Sequence, residues 1–129
     1  MLSLNARPTT NLDKTMFQEA CATAHDVKTA VPGARYYLLC EWLDMSPVST
    51  APTDVDEVLI LRKAKRLSSS IRKAFSTSEG RQNCRAFYVN CLQQHPLTAE
   101  VFQRFIGHVR KLLSSEGPEE KHVLELGCF

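Results

Sequence analysis

The chain has 129 residues, 43% hydrophobic and 23% charged, with a formal net charge of +2. That length suits one domain able to bury roughly two thirds of its unfolded surface, and the composition excludes a disordered chain. The longest apolar runs, Tyr36–Cys40 and Val58–Leu61, fall far short of the ~20 residues that cross a bilayer, so membrane insertion is excluded.

Residues 1–10 contain no apolar stretch of leader length and read as a flexible arm. Five cysteines at irregular spacing then fit reduced thiols in a cytoplasmic or nuclear compartment. A first helix is predicted from about Asn11, with Leu12, Met16, Ala20, Ala24, Val27 and Val31 at helical spacing, and Pro32-Gly33 ends it. The segment Tyr36 to Met45 is apolar on most sides and suits a short buried helix, although periodicity alone does not separate that from a buried strand. Ser46 to Pro52 is a loop.

A third helix is predicted over 53–76. Thr53 caps it, Asp54, Asp56 and Glu57 favour its first turn, and Ile60, Ala64, Leu67, Ile71, Ala74 and Phe75 form its stripe. A fourth runs from about Ser78 to His95, before Pro96, and presents Cys84, Phe87, Tyr88, Cys91 and Leu92. The fifth follows Thr98 with the cleanest amphipathic pattern, Val101, Phe102, Phe105, Ile106, Val109, Leu112 and Leu113, and stops at Gly117-Pro118. The expectation is an all-α protein: a single compact bundle of five helices, or six with the tail. Residues 11–115 form the bundle, and the tail 116–129 docks through Val123, Leu124 and Leu126.

Charge is unevenly distributed. Arg62 to Arg85 holds eight basic residues against Glu79, a net of +7, whereas Ala34 to Leu61 is −4. Local field of this kind selects partners. Surplus apolar surface at Tyr36, Tyr37, Trp42 and Met45, beside acids, resembles an interaction patch. The reading is a non-catalytic interaction module, an adaptor or regulatory domain, meeting a protein partner or a second copy of itself through those four residues. The alternative is an RNA- or DNA-binding domain that sets Arg62, Lys65, Arg66, Arg72, Lys73, Arg81 and Arg85 against phosphates.

Two Cys-x-x-x-His pairs, Cys21 with His25 and Cys91 with His95, would place four zinc ligands on facing helices, against the commoner use of cysteine in packing. Glycine is scarce, and no phosphate loop, nucleophile elbow or paired-histidine motif is present, so neither an enzyme nor a cofactor is expected.

Overall fold

The computed structural model describes residues 3–114 and 120–128. Strand β1, Leu4–Leu12, leads into helix α1, Lys14–Ala30, and then strand β2, Arg35–Leu43. Strand β3, Glu57–Ile60, completes a sheet of order β1-β2-β3 in which both pairings are parallel. Helices α2 (Ser69–Ala74), α3 (Ser78–Asn83), α4 (Arg85–Gln94), α5 (Ala99–Ser114) and α6 (Glu120–Leu126) follow. The all-α expectation is thus overturned: this is an α/β protein.

The central strand explains the misreading. A parallel strand covered on both faces needs apolar residues at successive positions, so it reads as a continuous run without alternation. In β2, Tyr36, Leu38 and Cys40 are 3%, 1% and 0% exposed and pack with Phe17, Ala20 and Ala24 of α1, Leu12 and Val55. Tyr37 is also buried but turns to α5, where its ring meets Phe105 edge-on at 5.8 Å and stacks on His108 at 5.1 Å. Burial on both sides pushes the Cys40 thiol up to about 11.

Parallel neighbours cannot be joined by a tight hairpin, and α1 supplies the crossover between β1 and β2. It starts where Asp13 accepts a hydrogen bond from the Met16 backbone N–H at 2.8 Å. Ala20 and Ala24 carry no side chain beyond Cβ, which lets the helix lie close on the sheet. It ends at Val31, and Gly33 takes φ +85° to turn the chain back into β2.

The expected arm over residues 1–10 is instead occupied from Leu4 onward by β1. Exposed Ala6, Pro8 and Thr10 alternate there with half-buried Arg7, Thr9 and Asn11. An edge strand tolerates Pro8, and its polar composition hid it. The expected helix over 53–76 dissolves into a loop, β3, a second loop and α2. Asp56 is no first-turn acid: its carboxylate accepts from the Tyr36 backbone N–H at 2.8 Å and pairs with Lys28 and Arg35, tying the strand entry to β2 and α1. Burial pushes its pKa up, but those donors outweigh it and hold the carboxyl below the usual range. The expected fourth helix is broken at Cys84 into α3 and α4. Gly80 allows the tight turn before that break, since a Cβ there would lie on the Ala74 carbonyl oxygen. In the tail, α6 forms with Leu124 and Leu126 exposed rather than docked; residues 115–119 and 129 lie outside the described residues.

Candidate nucleic-acid interface

The chain leaves β3 with Leu61 and Arg62 still hydrogen-bonded to Cys40 and Glu41 of β2, then turns through Lys63 at φ 51°. Residues 64–66 continue beside the end of β2: Leu43 donates to Ala64, and the Arg66 backbone N–H donates to Leu43. This course brings Arg62 and Arg66 to the carboxyl ends of the strands, and α2 brings Arg72.

Arg62 is held inside. Its Nε and Nη2 donate to Glu41 Oε1 at 3.2 and 3.0 Å, its Nη1 donates to the His95 carbonyl at 2.8 Å, and the guanidinium lies 5.2 Å from the Trp42 ring centroid. Arg66 pairs with Asp44 through Nη1 at 2.9 Å, while its Nε is buried without a hydrogen-bond partner. Arg72 donates from Nε to the Leu67 carbonyl. Arg81 donates to the Phe75 carbonyl and to Ser78 Oγ. Lys65, Lys73 and Arg85 are exposed and form no ion pair among the described residues. The basic residues therefore do not form one helix face; three of them, Arg62, Arg66 and Arg72, border a cavity of about 380 Å³ whose walls include Trp42, Phe75 and Tyr88.

The expected partner ridge is not on the surface. Tyr36, Tyr37 and Trp42 are buried, and Met45 packs against the core. A central strand between two helical layers uses its aromatics internally. Outward apolar side chains lie elsewhere, among them Phe102, Ile106 and Leu113 of α5 at 38%, 46% and 61% exposed.

The zinc pairs are not assembled either. His25 Nδ1 lies 2.7 Å from Asp54 Oδ2, beside Cys21, whose thiol is pushed up mainly by burial. Cys91 is buried in α4, and the His95 ring meets Trp42 edge-on at 5.7 Å. All five cysteines are free.

Divalent cations are commonly held between carboxylates. Among the described residues no three of His, Cys, Asp and Glu come together to hold a metal ion. Glu41, Asp44, Asp56, Glu57 and Glu100 are instead each engaged by Arg or Lys. The described residues therefore do not fit such a centre.

One cluster escaped sequence reading because its members are far apart in the chain. Glu57 of β3 receives Arg104 Nε and Nη2 at 2.6 and 2.9 Å, and His108 Nε2 at 3.2 Å, fastening α5 to the sheet. The hydrogen bond from Arg104 chiefly holds the Glu57 carboxyl below its usual range, against burial, and His108 adds to it. A depressed carboxyl pKa contributes stability that is complete above the unfolded value, about 4.3, and is lost as pH falls through the folded value. Below about pH 4, amide hydrogen exchange in α5 should therefore accelerate relative to α4, which has no carboxylate clamp among the described residues. Exchange that keeps the same ratio between the two helices would refute the clamp.

This α/β fold is similar to that of a solved structure. The chain matches the native A2B2 tetramer of BbvCI with a TM-score of 0.64 and 22% identity, over 91% of this chain and 39% of that one. It thus spans about two fifths of the length of the chain it resembles. The family model of the Bpu10I restriction endonuclease matches residues 2–129, and the chain belongs to that family. No curated protein matches it. Membership in a restriction endonuclease family overturns the expectation of a non-catalytic adaptor or regulatory domain and of a chain unconnected with enzyme chemistry. No helix among the described residues is long and apolar enough to cross a membrane.

Proposed function

We propose that this chain works in double-stranded DNA cleavage as part of a restriction endonuclease. The observation that carries the reading is the family match over residues 2–129. The cationic carboxyl ends of the sheet support it, because open α/β sheets bind ligands there and duplex DNA presents a dense row of phosphates. The arginines that line the cavity there suit the seating and orientation of DNA for that reaction. DNA replaces the broader alternative of RNA or DNA.

The assembly is part of the proposal. The similar BbvCI structure is a tetramer of two kinds of subunit. The exposed Phe102, Ile106 and Leu113 of α5 provide an apolar face on which a second copy of this chain would close.

The test is supercoiled plasmid incubated with purified chain and Mg²⁺, alongside duplex gel shifts and light scattering on the same samples. Cleavage at discrete positions supports the reading. So does duplex binding that weakens roughly 10- to 100-fold between about 50 and 200 mM salt, as two to four phosphate contacts require. Intact plasmid together with no duplex binding at the lower salt would overturn it. A mass of one chain at every concentration would remove self-association.

A further inference from the structure

We propose that the cavity between Arg66, Arg72 and Trp42 is a phosphate-ester site that takes one nucleotide phosphate. That the phosphate belongs to a DNA backbone rests on the endonuclease reading; the anion chemistry does not.

Position is the first argument. The cavity is bounded by Thr10 and Asn11 at the end of β1, by Glu41 and Trp42 at the end of β2, and by Arg62 just beyond β3. All three parallel strands point their carboxyl ends at it, which is where open α/β sheets hold ligands.

Charge is the second. Three arginines line the cavity against one carboxylate, Glu41, and Glu41 is occupied by Arg62. Arg72 spends Nε on a neutral carbonyl, and its Nη groups have no partner among the described residues. Its positive charge is therefore available.

The third is the state of Arg66. Asp44 takes Nη1, leaving the edge formed by Nε and Nη2 without a hydrogen bond. That edge is the two-pronged face with which a guanidinium grips two oxygens of one phosphate. A buried N–H lacking an acceptor is rare in a folded protein, and here it belongs to a guanidinium that borders the cavity and has donors to spare. The aromatic walls Phe75 and Tyr88 give the sugar and base of the same nucleotide an apolar surface, and the volume of about 380 Å³ admits one such unit.

Trp42 is the chain's single tryptophan and lines the cavity, so its fluorescence reports occupancy. The full chain would be titrated with inorganic phosphate, a deoxynucleoside 5′-monophosphate and a short duplex, with acetate as the carboxylate control. Saturable changes are expected with the phosphate ligands and not with acetate. In Arg66→Gln and in Arg72→Gln, each checked for a native circular dichroism spectrum, Kd should rise about tenfold. Arg66→Lys, which keeps charge without the fork, should not restore it. The same tenfold weakening in the duplex arm assigns the phosphate to the DNA backbone. Weakening confined to the monophosphate upholds the site and assigns it to a free nucleotide. Equal response to acetate, or phosphate binding unchanged in both folded glutamine variants, overturns the proposal. Plasmid cleavage is read separately: normal cleavage by the double variant would sink the DNA assignment and leave the endonuclease reading standing.

Discussion

Replacing Leu38 with alanine is expected to lower the unfolding free energy by about 3 kcal/mol, within the range for emptying a leucine site in a packed core. Leu38 is 1% exposed, at the centre of the middle strand, and packs in the cluster that includes Phe17, Ala20 and Ala24. Neighbours can close such a gap only where they are free to move. Here β1 and β3 hold Leu38 through paired registers, Arg7 on one side and Val58 on the other. Urea denaturation should show a lower midpoint with an unchanged slope. A loss under about 1 kcal/mol would contradict close packing of α1 on that face of the sheet.

Arg62→Ala is expected to cost about 2–4 kcal/mol, for a different reason. Only 12% of the Arg62 side chain is exposed, and it joins Glu41, the His95 carbonyl and the Trp42 ring at one point. Removing it leaves Glu41, two-thirds buried, beside an indole with no countercharge. Breaking one half of a shielded ion pair is more damaging than the pair is stabilising. Lysine should recover little, because a single ammonium cannot fork to the carboxylate, reach the carbonyl and lie over the ring together. Lys65→Ala, three residues away and exposed, should fall within about 0.5 kcal/mol of wild type. Thermal unfolding of the three variants tests this, and equal effects of Arg62→Ala and Lys65→Ala would reject the internal role.

How much of this was legible in the sequence depended on the range of the interactions involved. The segments that became α1 and α5 carry a 3.6-residue spacing in a single stretch, and that signal is local. Tyr36–Cys40 offered only an apolar run, which fits a buried helix as well as a buried strand; its strand partners, Asn5–Thr9 and Glu57–Ile60, decide between them from a distance. β1 gave no apolar signal because its edge position lets Pro8 and Thr10 face solvent. Asp54, Asp56 and Glu57 matched the acids of a helix start, yet Asp54 meets His25, Asp56 meets Lys28 and Arg35, and Glu57 meets Arg104.

The charge asymmetry was visible from the first, but its meaning was not. The acidic stretch 34–61 and the basic stretch 62–85 meet in pairs, Glu41 with Arg62 and Asp44 with Arg66, so part of the apparent surface field is spent inside the fold. The remainder, at Arg72, Lys65, Lys73 and Arg85 together with the edge of Arg66 that Asp44 leaves unbonded, is what a phosphate can meet. That division depends on which carboxylate lies within reach of which guanidinium, and no window along the chain contains it.

Gly80 links this arrangement to a residue that touches none of it. Because a methyl at that position would collide with the Ala74 oxygen, the spacing of α2 and α3 is set by a hydrogen atom. Phe75 follows Ala74 directly and forms a wall of the cavity. The shape that an incoming nucleotide encounters is thus inherited from a missing carbon, and variation at that glycine would be read out as altered affinity by a residue with no ligand of its own.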